Sequence, residues 1–96
     1  MPKAYWVNTY REIKDPAKLQ AYAALAGPAI ESNGGKFLVR GSPAKAYESG
    51  LMQRVVVIEF DSIDAAVKAH DSAGYQAALQ ALADGAVRDI RIVEGT

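Results

Sequence analysis

Two charged side chains stand inside otherwise apolar stretches: Arg40 in "KFLVRG" and Glu59 in "RVVVIEF". A guanidinium beside a poorly hydrated carboxylate can do chemistry. The arginine attracts an anion, and burial raises the carboxylate's proton affinity toward that of a general base. The same two residues also make an ordinary ion pair, between neighbouring strands or across a subunit seam, that fixes registry without any reaction. His70, the single histidine, changes charge near neutral pH and is the other candidate acid-base group; beside Ala66 and Val67 it suits a partly buried helix position equally well. Glu59, His70 and Arg40 are thus the candidate catalytic residues.

Trp6, Tyr10 and Tyr75 suit the wall of a planar-substrate site or, without a ligand, core packing. Asn8 stands on the Trp6 side of its strand, where a buried amide needs partners in a ligand or in an opposite chain. The candidate binding set is Trp6, Asn8, Tyr10, Arg40, Glu59 and Tyr75. The chain has no cysteine and one histidine, which leaves no thiol nucleophile, disulfide or conventional transition-metal centre. No metal and no cofactor are expected. Ser62 and Ser72 stand at helix starts, where capping accounts for both. Gly34-Gly35 lies between a helix and a strand, the reverse of the placement a phosphate-binding loop requires.

The elements that must position these groups follow from local pattern. "AYWVNTYRE", Ala4 to Glu12, alternates like a strand. Asp15-Pro16 opens a helix, with Leu19, Tyr22, Ala26 and Ala29 or Ile30 as its apolar stripe and Asn33-Gly34-Gly35 as its end. Gly27-Pro28 predicts a kink or restart within it. "KFLVRG" and "QRVVVIEF" are the second and third strands, joined by a long loop in which Ala46 to Glu48 could add a short edge pairing. Ser62 caps "IDAAVKAH", on which Ile63, Ala66, Val67 and His70 share a face. "AGYQAALQALA" after Ser72 continues it as one bent helix or two in tandem, ending at Gly85. Val87 to Gly95 is the last strand, with Ile90 and Ile92 on one face and Arg91 and Val93 on the other.

Strand, helix, strand, strand, helix, strand is the ferredoxin-like βαββαβ order, an α+β fold with a four-stranded antiparallel sheet whose helices lie on one face. At 96 residues, one domain over 1–96 is expected. The third strand is apolar on both faces, so something must cover the face the helices leave bare. The economical cover is a second copy of the sheet, giving a homodimer. By alternation Val55, Val57 and Glu59 would turn to that face, joined by Trp6, Asn8, Tyr10, Leu38 and Arg40, so that Arg40 and Glu59 line a cleft between two sheets.

With 11 basic and 11 acidic residues and no basic block, neither nucleic acid nor an anionic membrane is expected as a partner. The opening "MPKAYWVNTY" runs into strand sequence without a signal-like leader, and no apolar run has membrane-spanning length, from which a cytoplasmic address is expected.

The stretches "NGGKFLVRG", "RVVVIEFDSIDAA", "SAGYQAA" and "IRIVEG" resemble the domain of unknown function 1330 family of the dimeric α+β barrel superfamily. Matching positions are Gly34, Gly35, Arg40, Gly41, Glu59, Phe60, Ser62, Ser72, Tyr75, Gln76, Glu94 and Gly95. The resemblance implies a ferredoxin-like subunit whose sheet pairs with another. The wider superfamily includes oxygenases that need no metal or organic cofactor, lactone isomerases and stress-responsive dimers. This chain departs from the pattern at Ala73-Gly74, which loosens the expected helix start, at His70, where an aromatic residue is common, and in lacking an arginine shortly after Tyr75-Gln76. Two functions stay open: a small homodimer that binds a small organic molecule in a polar cleft, with an anionic ligand and cofactor-independent catalysis as forms of it, or a structural or regulatory homodimer in which the same residues close the interface.

Overall fold

In the computed structural model, which describes residues 2–96, the elements run β1 (Ala4–Ile13), α1 (Pro16–Ser32), β2 (Lys36–Gly41), β3 (Val55–Phe60), α2 (Ile63–Asp71), α3 (Ala73–Leu82) and β4 (Ala86–Glu94). The sheet is antiparallel with four strands in the order β2-β3-β1-β4, so the first and third strands lie in the middle.

The ends of the elements are set locally. The Asp15 carboxylate accepts from the Ala17 and Lys18 amides at 3.0 and 3.3 Å, and Pro16 follows where its missing N–H costs nothing. Asn33 closes α1 and Gly34 reverses the chain at φ +88°, a conformation that suits glycine. A side chain at Gly35 would collide with Ile30 and come within 2.9 Å of the Phe60 ring, so glycine lets the turn press against the core.

The restart expected as one outcome at Gly27-Pro28 does not occur: α1 continues through it to Ser32. Pro28 and Ala24, whose carbonyl loses its helical donor, are both exposed, so water can take the bond. The second helical stretch resolves into two helices. Ser72 ends α2 and begins α3, its hydroxyl donating to the Ala69 carbonyl at 2.8 Å and accepting from the Tyr75 amide at 3.3 Å. The start of α3 is therefore firm despite Ala73-Gly74. A Cβ on Gly74 would sit 3.1 Å from that of Ala29, and glycine there lets α3 lie close against α1. No strand forms at Ala46 to Glu48; a turn closes instead with the Gly50 amide donating to the Tyr47 carbonyl at 2.9 Å.

Register decides which residues share a face. Trp6 stands opposite Ile58 and Ile92, and Asn8 opposite Val56 and Ile90. Ala4, Trp6, Asn8 and Tyr10 of β1 and Val56, Ile58 and Phe60 of β3 are the buried residues of their strands, packed under the helices with Tyr22, Ala26, Ile30, Ala66, Ala69, Tyr75, Ala78 and Leu82. Tyr5, Val7, Thr9, Val55, Val57 and Glu59 point to the face without helices and are half-buried. This corrects the expectation that Trp6, Asn8 and Tyr10 share a face with Val55 and Val57.

Candidate functional site

Between the helix-side face of the sheet and α1 lies a cavity of about 280 Å³. β1 supplies Trp6, Asn8 and Tyr10 to its walls, β3 supplies Val56 and Ile58, and α1 supplies Tyr22, Ala26 and Ile30. At the rim, more exposed side chains take over: Gln20 from α1, Arg40 and Phe37 from β2, and Arg54 just before β3. The cavity exists because α1 meets the sheet with small residues. Ala23, Ala26 and Gly27 face it where longer side chains would fill it.

Two of the lining residues contain buried polar atoms without partners. The Trp6 indole Nε1–H and the Asn8 amide oxygen are buried, in residues 0% and 3% exposed, and neither has a hydrogen-bond partner among the described residues. Leaving such a group unsatisfied costs about 1–3 kcal/mol each, and native folds rarely tolerate it without an occupant or a role. Behind this wall Tyr75 packs edge-on against Trp6, with ring centroids 4.9 Å apart, and its hydroxyl meets that of Tyr22 at 2.8 Å. Burial, then the neighbouring Tyr75, pushes the Tyr22 hydroxyl above its ordinary range, so it stays protonated. The Arg88 guanidinium lies 4.6 Å over the Tyr22 ring and fixes that ring from the β4 side.

The rim is positively charged. Arg40 lies over the Phe37 ring at 4.3 Å, which aligns its guanidinium along the rim. Among the described residues neither Arg40 nor Arg54 is in an ion pair, and no acidic side chain lines the cavity.

The candidate residues from the sequence separate into three groups. Trp6, Asn8, Tyr10 and Arg40 line the cavity together. Tyr75 and His70 stand behind it: the His70 ring is 5.6 Å from Trp6 and 5.2 Å from Tyr75, and its Nδ1 is 3.0 Å from the Asp71 carboxylate in a half-exposed position. Glu59 is on the other face, where Tyr5 donates to it at 3.2 Å and Lys36 stands opposite in register. Desolvation and that bond hold the Tyr5 hydroxyl above its ordinary value.

Arg40 and Glu59 therefore do not share a cleft. The cause is an irregularity in β2 between Phe37 and Val39: Phe37 pairs with Ile58 and Arg40 with Val56, so both turn to the helix side, while Leu38 is the extra residue. The cavity itself lies between sheet and helix, not between two sheets. Sequence reasoning missed Tyr22, Phe37 and Arg54. A tyrosine within a helix's apolar stripe signals a hydroxyl needing a partner, and Arg54 shares the alternation of Val56 and Ile58.

No group of His, Asp and Glu side chains among the described residues converges as a metal site. No helix among them is long and apolar enough to cross a membrane.

Sheet order and one-sided helices define a ferredoxin-like α+β protein. The model of the family described as "Domain of unknown function (DUF1330)" matches residues 3–96, and the chain belongs to that family. No curated protein matches the chain. Among solved structures it is similar to RPA0582, a protein of unknown function from Rhodopseudomonas palustris, with TM-score 0.77 and 18% identity over 99% of this chain and 83% of that one. It is similar to SnoaB, a cofactor-independent oxygenase from Streptomyces nogalater, with TM-score 0.65 and 17% identity over 100% of this chain and 95% of that one. A dimeric ferredoxin-like protein of unknown function from Thermobifida fusca aligns with TM-score 0.68 and 17% identity, over 98% and 92% of the two chains. At these identities the likeness concerns the fold.

Proposed function

We propose that this protein is a small cytoplasmic homodimer, one domain per chain, that binds a small organic molecule in the cavity between α1 and the sheet. The observation that carries this reading is an apolar, aromatic cavity of about 280 Å³ whose rim holds two guanidiniums, Arg40 and Arg54, with no acidic side chain in its lining.

The dimer reading rests on the opposite face. Tyr5, Val7, Val55 and Val57 form a strip there, flanked by Val39 and Val93 at 48% and 52% exposure, and no helix covers it. A second copy would bury that strip, as the dimeric Thermobifida relative suggests. The face's polar residues, Glu59 with Tyr5 and Asp89 with Arg11 and Arg91, already have partners and suit an interface rim. Were the cavity never occupied, this interface would remain as the protein's role, that of a structural homodimer.

Binding rather than a particular reaction is the function assigned. Of the three candidate catalytic residues only Arg40 lines the cavity, so neither Glu59 nor His70 reaches a molecule bound there. The comparison with a cofactor-independent oxygenase bears on what such a fold can host, not on which groups act here.

The test is a thermal-shift screen of small organic molecules against the wild type and Asn8→Leu side by side. Compounds that raise the wild-type Tm and leave the variant unmoved support the cavity as the site; equal shifts in both place binding elsewhere.

A further inference from the structure

Resting on that reading of the cavity, we infer its ligand class: a small amphipathic monocarboxylate, its apolar body the size of a single ring and its carboxylate held at the rim by Arg40 and Arg54. The charge comes first. Arg40 pairs in register with Val56, and Arg54 stands two residues before Val56, its carbonyl accepting from the Tyr10 amide at 3.0 Å. The two arginines are therefore diagonal neighbours on one face, with backbones roughly 7–8 Å apart, and their long side chains can meet on one anion. Arg40 is exposed and Arg54 half-buried, so a solute reaches both. Among the described residues neither is in an ion pair, and no acidic side chain lines the cavity to compete for them. The Arg40 guanidinium lies 4.3 Å over the Phe37 ring. Stacked by its face, it keeps the N–H groups along its edge for the planar fork that a carboxylate fits.

The wall that a ligand can touch beside this charge is apolar. Leu19, Ala23 and Gly27 of α1 and Phe37 of β2 line the cavity and are exposed or half-buried. Gly27 shows the room directly, because a Cβ built on it meets no atom within 4 Å. A volume of about 280 Å³ is below the ~300–1,000 Å³ range of sites for drug-sized ligands, which favours one ring or a branched acyl chain over a fused polycycle or a nucleotide. Apolar walls also favour a monoanion over a phosphate ester, since a dianion gives up more hydration on entering.

The experiment is isothermal titration calorimetry of the intact protein with phenylacetate, the uncharged phenylacetamide, acetate and phenyl phosphate. It is repeated on Arg40→Gln/Arg54→Gln and on Gly27→Leu, each first checked for native circular dichroism. Gly27→Leu fills the empty space from the helix and replaces glycine with a better helix former, so the fold should hold. The expected result is saturable binding of phenylacetate, weaker by roughly tenfold or more for phenylacetamide, which lacks the charge, and for acetate, which lacks the body. Phenyl phosphate should bind no more tightly than phenylacetate. The double arginine variant should bind phenylacetate and phenylacetamide equally, and Gly27→Leu should lose both. If phenylacetamide matches phenylacetate in the wild type and Gly27→Leu loses both, the cavity is a site but the anionic class is wrong. If acetate matches phenylacetate, the rim binds bare anions and the apolar body is wrong; tighter binding of phenyl phosphate overturns the carboxylate. Phenylacetate binding that is unchanged in Gly27→Leu lies outside the cavity and overturns the binding reading itself. If none of the four probes binds, the ligand class is overturned, and a blank thermal-shift screen then removes the binding reading beneath it.

Discussion

The two faces of the sheet treat their polar residues in opposite ways. On the face without helices, Glu59 accepts from Tyr5 at 3.2 Å, and Asp89 accepts from Arg91 at 3.0 and 3.1 Å and from Arg11 at 3.3 Å. Those groups are satisfied in a region half open to water, where satisfaction is least needed. Under the helices, Asn8 and Trp6 are more deeply buried, and their amide oxygen and indole N–H have no partner among the described residues. The contrast teaches where a guest belongs. On the reading proposed above, paired charges beside exposed valines suit a surface that meets another protein surface, and the arginine-rimmed cavity suits a small molecule.

The largest effect that would sharpen this comparison lies on the open face. Val57→Asp puts a charge in the middle of the strip, opposite Val7 and Val39, and is expected to weaken dimer association by roughly 100-fold or more. Light scattering coupled to size exclusion would register a monomer or an unfolded chain. A stable species of unchanged dimer mass would remove the sheet-on-sheet model.

Tyr75→Phe addresses the support behind the cavity. It leaves the Tyr22 hydroxyl buried without its bond, which is expected to cost about 1–3 kcal/mol, to be read from a denaturant melt, while the oligomer mass stays the same.

Asn8→Leu should act in the other direction. Replacing an unpartnered amide with an apolar group of similar size is expected to raise stability by about 1 kcal/mol, or roughly 4–8 °C in Tm for a chain of this length. A loss of stability would mean that the amide already has the partners the cavity reading denies it.

Asp89→Asn is expected to have the smallest effect. The bond to Arg91, helped by Arg11, holds this carboxyl below its ordinary 3.8. A depressed carboxyl contributes stability that is present above the unfolded value and lost as pH falls through the folded one. The variant should thus melt slightly below wild type at neutral pH, with the gap closing below pH 3.8 and shrinking in high salt.

What the sequence revealed divides along the same line between local and non-local causes. Asp15-Pro16, Ser62, Ser72 and Asn33-Gly34 mark their boundaries through bonds made within a few residues, so the order of elements could be read directly. Trp6, Asn8, Tyr10 and Arg40 were legible as residues that belong together because their types demand burial or a partner. Which face they occupy was not legible. Side-chain period is two, so a face is decided by register with a neighbouring strand, and one extra residue at Leu38 was enough to carry Arg40 away from Glu59. Tyr22 and Arg54 went unnoticed for a related reason: their role depends on a void created by Ala23, Ala26 and Gly27 on a different element. Pro28 does not end the helix because its penalty depends on whether the freed carbonyl faces water, which only the packed helix decides.

The most direct test of the central claim, that the helix-side cavity is a ligand site, is a high-resolution crystal structure of the protein as purified. Defined non-water density is expected between α1 and β1, beside Tyr10 and Tyr22 and extending toward Arg40 and Arg54. A collapsed cavity, or one holding only ordered water, would contradict it.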